Sequence, residues 1–141
     1  MAAGTSPEAP SAAHLLHRAG QRADELFTQA ARGLTPRQFE MLRAVSQVEG
    51  LSQTAIMAAT GIDRSSTAAL VARLVQHGLL QRRRTKRDRR TYAVRITDKG
   101  RQVLEATRPV ARAAEEELLA GLSAQAKADL LRTLDRIVSR K

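Results

Sequence analysis

The stretch "LSQTAIMAATGIDRSSTAALVARLVQHGLL", residues 51–80, decides the fold. Ser52 is placed to cap a helix, Leu51 stands opposite Ile56 as a hydrophobic staple, and the short apolar run that follows is broken by Gly61. Asp63 then caps a second helix. It ends at Gly78, where glycine supplies the left-handed C-terminal conformation and Leu79 folds back on the last turn. Two helices, Ser52 to Thr60 and Arg64 to His77, joined by a tight turn containing a glycine, are the helix-turn-helix pattern.

The second helix divides into two faces. Thr67, Leu70, Val71, Leu74 and Val75 make an apolar stripe, while Ser65, Ser66, Ala69, Ala72, Arg73 and Gln76 project on the opposite side. An ordinary solvated face would carry Glu and Lys. This one offers short hydrogen-bonding groups, tiny residues and a single Arg, the face suited to a helix entering a DNA major groove about 12 Å wide.

Downstream, "LLQRRR" and "TYAVRIT" read as two strands of a hairpin with "TKRDR" at its tip. Seven of the nine residues from Arg82 to Arg90 are Lys or Arg, with one acid, Asp88, among them. The whole chain carries +10 and a pI near 11.4. A positive field concentrated in one segment is suited to a polyanion such as nucleic acid.

Aromatics are only 2 % of the residues against 43 % hydrophobic, so Ala, Leu and Val carry the packing, which favours helices. Residues 1–10 read as a disordered lead. From Ser11 to Ala31, the residues Leu15, Leu16, Ala19, Ala23, Leu26, Phe27 and Ala30 form one stripe ahead of Gly33, and this helix needs a partner surface. "LTPRQF" is a dense helix start, with Thr35 as cap, Pro36 at the first position, Gln38 completing a capping box and Leu34 reaching Phe39. Phe39, Met41, Leu42, Val45 and Val48 span about half the circumference of that helix, which places it between two layers. Thr97 caps a long helix from Asp98 to Leu119, in which Pro109 is expected to produce a kink. Ser123 caps a last one bearing Leu130, Leu131, Leu134, Ile137 and Val138. The fold class expected is mainly α with a small β-hairpin wing.

Several functions are disfavoured. There is no cysteine, which removes disulfides, thiolate chemistry and Cys-based zinc sites. The N-terminus has no signal-peptide pattern and no run of 18 apolar residues occurs, so a cytoplasmic protein without a membrane span is expected. His14 and His17 share one side of the first helix, but exposed histidines account for them and no metal or cofactor is expected. No phosphate loop, nucleophile elbow or metal-ligand spacing suggests an enzyme.

The order helix, helix, turn, recognition helix, basic hairpin, helix is that of a winged helix-turn-helix, and over residues 11–138 the chain resembles the MarR family of bacterial transcription regulators. The resemblance is carried by "LTPRQFEMLRAV", by "TGIDRSSTAALVARLVQHGLLQR" and, most specifically, by Asp88-x-Arg90 followed by Val94, Ile96, Thr97 and Gly100. It implies a homodimer in which residues 11–33 and 98–141 form a helical dimerisation region, with residues 34–97 as the winged helix-turn-helix. It also implies a pseudo-palindromic double-stranded DNA operator, with recognition helices meeting major-groove faces about 10 bp apart. Arg90 would enter the minor groove. Asp88 would structure the wing by holding the fork of a neighbouring Arg. Arg82, Arg83, Arg84, Lys86, Arg87 and Arg89 are expected at phosphates or in solvent, Arg64 at a phosphate or the wing, and Ser65, Ser66, Arg73 and Gln76 on the DNA-facing side.

The resemblance further implies repression relieved by a small effector, aromatic or phenolic and anionic, bound between the dimerisation layer and the winged module. His17, Arg18, Arg22 and Phe39 are the expected ligand residues, cations beside apolar walls. The alternative is an architectural or RNA-associated basic winged-helix protein that binds by charge with little sequence choice.

Overall fold

Each helix begins where a short polar side chain satisfies a backbone N–H of the first turn. In the computed structural model, which describes residues 7–31, 33–85 and 92–140, the elements are α1 (Ala12–Ala30), α2 (Pro36–Ser46), α3 (Gln53–Thr60), α4 (Arg64–Gln76), β1 (Leu80–Arg84), β2 (Tyr92–Ile96), α5 (Asp98–Leu118) and α6 (Ala124–Ser139). The caps are Ser11, Thr35, Ser52, Asp63, Thr97 and Ser123. At α2 the box is reciprocal. Gln38 N–H donates to Thr35 Oγ1 (3.2 Å) and Thr35 N–H donates to Gln38 Oε1 (3.1 Å).

Two glycines set the turns of the central motif. Gly61 ends α3 at φ +70° and Gly78 follows α4 at φ +75°, a region costly for residues with a Cβ. After Gly78, Leu79 N–H donates to Leu74 O (2.9 Å), so the chain folds back and delivers Leu80 into the core.

The wing is an antiparallel pair, β1 with β2, in register Leu80 to Ile96 and Arg84 to Tyr92. It is anchored on its other edge by Leu51, which exchanges two backbone bonds with Val94 (2.9 and 2.7 Å). Leu51 thus makes a single β-bridge to the outer edge of β2 just before α3 begins, and ties the wing to the helix-turn-helix.

The core gathers Met41, Leu42, Val45, Ile56, Leu74, Leu80 and Leu104, all fully buried. As the wide apolar arc predicts, α2 packs against α3, α5 and β2 together. Val48 is a correction. Helix α2 ends at Ser46, whose hydroxyl donates back to Arg43 O (2.7 Å), and Val48 lies beyond it, half exposed. Helix α5 continues through Pro109 and packs along α1. Helix α6 has no fully buried residue within this chain, and Leu15, Leu16, Leu131, Ile137 and Val138 are exposed. Among the described residues no helix is long and apolar enough to cross a membrane.

Candidate nucleic-acid interface

Helix α4 buries Thr67, Val71 and Leu74 and leaves Arg64, Ser65, Ala69, Ala72, Arg73 and Gln76 exposed, with Ser66 half-buried at the edge. The division read from periodicity is the one the packing produces. The face is low in relief, because its middle consists of alanines. Arg73 and Gln76 mark its C-terminal half.

Its N-terminus is organised by Asp63. One carboxylate oxygen accepts Ser66 N–H (2.8 Å) and the Ser65 hydroxyl (2.9 Å), and the other accepts the Ser66 hydroxyl (2.9 Å). These bonds, the Ser66 N–H foremost, hold the carboxyl at about 2, below its ordinary 3.8. The sign of the linkage follows from the lowered value. The cap supports the fold fully above pH 3.8 and loses its contribution as pH falls through about 2. The Asp63→Ala protein is therefore expected to melt below the native protein at pH 7, with the gap closing between pH 4 and pH 2. Parallel thermal melts across that range check this, and a pH-independent gap would contradict it.

Beside α4, the strand β1 exposes Arg82, Arg83 and Arg84. Arg84 is held in place, with its guanidinium carbon 5.6 Å from the Tyr92 ring centroid and a nitrogen donating to the Tyr92 hydroxyl (3.3 Å). Arg82 and Arg64 line a common groove of about 560 Å³ with Gln53, Met57 and Tyr92, so Arg64, at the start of α4, shares that groove with the wing strands. Lys86, Arg87, Asp88, Arg89 and Arg90 lie outside the described residues.

A second cavity, about 470 Å³, opens between α1, α2 and α5. Its apolar wall is the tilted pair Phe27 and Phe39, ring centroids 5.5 Å apart, with Pro36, Ala111 and Leu118. Of the expected ligand residues Phe39 lines it, whereas His17, Arg18 and Arg22 do not; all three are exposed, and Arg22 faces Glu25 at 3.7 Å. The cations at the cavity are instead Arg43, Arg108 and Arg112. Arg43 bonds Glu40 (2.9 Å) and Arg108 bonds Glu105 (3.0 Å), while Arg112 has no carboxylate partner among the described residues. A usable signal existed in the spacing. Arg108, Ala111, Arg112 and Glu115 fall on one helical face beside the buried Ala114. Asp24, Glu40 and Glu115 also line the cavity, so its charge is mixed rather than simply positive.

The MarR family profile matches residues 32–91. The chain is 33 % identical over 105 residues to a putative transcriptional regulatory protein for the hcr operon of Thauera aromatica, covering 74 % of this chain and 63 %, just under two thirds, of that protein. It is 32 % identical over 127 residues to the HTH-type transcriptional repressor NicR of Pseudomonas putida, covering 89 % and 80 % of the two chains. Among solved structures it superposes on BpsR of Bordetella bronchiseptica, whose DNA binding is regulated by 6-hydroxynicotinic acid, with a TM-score of 0.91 at 27 % identity over 98 % of this chain and all of that one.

Proposed function

The chain belongs to the MarR family of transcription regulators, and from that premise we propose that it is a cytoplasmic homodimeric repressor, not an enzyme, released from a pseudo-palindromic operator by a small aromatic acid. The observation that carries the reading is the exposed, low-relief face of α4 set beside the arginines of β1. Such a face enters a major groove without clashing, and the arginines supply phosphate contacts. Two copies are supported by the apolar side chains of α1 and α6 left uncovered in one chain, including Leu15, Leu131, Ile137 and Val138. Residues 11–33 and 98–141 are then the dimerisation region and residues 34–97 the DNA-binding region. Ser65, Ser66, Arg73 and Gln76 face bases or adjacent phosphates, Arg64, Arg84, Lys86, Arg87, Arg89 and Arg90 follow the backbone and minor groove, and Asp88 structures the wing.

The effector site in this reading is the cavity between α1, α2 and α5. Arg112 takes the effector's carboxylate, the Phe27 and Phe39 rings flank its aromatic ring, and the mixed lining favours a ligand that also carries a hydroxyl or ring N–H to donate toward Glu115 or Asp24. The relatives support this direction, since BpsR responds to a hydroxylated aromatic acid.

The test begins with duplex selected from a random pool, titrated by anisotropy against a scrambled copy at about 50 and 200 mM salt. Survival of the selected duplex alone at the higher salt supports the repressor. Equal decay of both supports the charge-only binder instead. Hydroxylated aromatic acids are then added to the complex. Arg112→Ala is expected to raise the concentration needed for release by roughly tenfold or more, the loss of a charge-assisted bond, with operator affinity unchanged. An unchanged release curve would move the effector elsewhere.

A further inference from the structure

The hydroxyls of Ser65 and Ser66 stand at the second and third positions of α4, the end of a recognition helix that meets base edges. Both are hydrogen-bonded to the same carboxylate, Asp63, at 2.9 Å each. A carboxylate only accepts, so each serine must direct its single hydrogen inward to Asp63. What each hydroxyl has left is lone pairs. The same carboxylate sits at the helix N-terminus, where a phosphate would otherwise be drawn, and repels it.

Resting on the operator-binding reading above, we propose that Ser65 and Ser66 act as hydrogen-bond acceptors toward DNA, reading the exocyclic amino group of adenine or cytosine in the major groove. A serine free of such a partner donates or accepts and so discriminates poorly. Here the polarity is set within the protein before DNA arrives. Guanine and thymine present only acceptors at the corresponding edge and leave these lone pairs facing lone pairs. Asp63 is the positioning residue of the set, and its low proton affinity keeps the arrangement ionised throughout the physiological range.

The test uses the full chain and the operator selected above. Single adenines are replaced by purine and single cytosines by 2-pyrimidinone, each lacking only the amino group. At one or more positions in each half-site the native protein is expected to lose roughly three- to tenfold in affinity, the range of one neutral hydrogen bond. That loss is expected to vanish in Ser65→Ala or Ser66→Ala at the position each one reads. Asp63→Asn gives a readout that a purely structural cap would not. Asparagine still caps, but its amide NH2 donates to the Ser66 hydroxyl, freeing that hydrogen, so the base selected at the Ser66 position is expected to change to guanine or thymine. Thermal melts confirm that each variant is folded. A selected operator in which amino-group removal is neutral, or costs the serine variants as much as the native protein, overturns the inference while the operator reading stands. Failure of any sequence to emerge from selection overturns both.

Discussion

Glutamate in place of Ala69 is expected to lower operator affinity by at least about 100-fold, equivalent to about 2.7 kcal/mol, while leaving the melting temperature almost unchanged. Ala69 is exposed at the centre of α4, one turn from Ser65 and one turn from Ala72 and Arg73. Its side chain is exposed, and Glu is a good helix former, so folding is nearly indifferent to the change. In a groove the longer side chain both obstructs the approach and sets a carboxylate among phosphates, a like-charge contact worth several kcal/mol. Ala69→Gln separates the two effects. It keeps the bulk without the charge and is expected to lose less affinity, with a smaller gap to the glutamate variant at 200 mM salt than at 50 mM. Anisotropy titrations of the three proteins decide the matter. Equal affinity of the glutamate and native proteins would mean that this face of α4 does not enter DNA.

The second large effect concerns stability. Gly100→Val is expected to destabilise the fold by about 3 kcal/mol or more, lowering the melting temperature by roughly 10 °C or more. Gly100 lies in the first turn of α5 at zero tolerance for a side chain. A Cβ there would overlap the carbonyl oxygen of Leu79 and come within 2.8 Å of Ile96 Cγ1. The overlapping atom is backbone and cannot rotate away. It is also held in place, because Leu79 O accepts Thr97 N–H (3.1 Å). The neighbouring Thr97 hydroxyl accepts Gly100 N–H (3.0 Å) and donates to Gly78 O (2.6 Å), and Lys99 Nζ donates to His77 O (3.1 Å). The end of the recognition helix, the end of β2 and the start of α5 thus meet at one point. Valine would push them apart. Gly20→Ala is the control, since Gly20 is exposed within α1 with nothing within 4 Å of a Cβ, and the same kind of change there is expected to stabilise by about 0.5–1 kcal/mol. Thermal or denaturant melts of both proteins check the pair. Stabilisation at both positions would show that helix propensity rather than the Leu79 contact governs position 100.

Gly100 also shows where a reading of residues runs out. It stands in the motif through which the chain resembles its family, yet its local pattern, a small residue just after a Thr cap, explains only a tolerated helix start. The carbonyl that forbids anything larger comes from Leu79, 21 positions earlier. The cavity between α1, α2 and α5 is a similar case. Phe39 was legible as an apolar wall, but Arg18 and Arg22, expected as the cations beside it, do not line the cavity. The arginines that do line it come from α2 and α5, residue 43 on one and residues 108 and 112 on the other. Their convergence depends on how α5 packs along α1 and across α2. Val48 failed for a local reason, because helical periodicity extends past the point at which Ser46 turns back on its own helix.

Local physics, by contrast, is written directly in the order of residues. Five of the six capping side chains at helix starts, the glycines after α3 and α4, the alternation of β2, the apolar arc of α2 and the bare outer face of α4 each depend on neighbours within a few positions, so their spacing alone specifies them. Long-range contact has no such period. The bridge of Leu51 to Val94, the clash surface at Gly100, the arginines of the cavity and the orientation of Arg84 by Tyr92 each join residues whose separation along the chain is arbitrary. They arise when capped helices and a hairpin bury their apolar faces against one another, because only that packing sets which side chains meet.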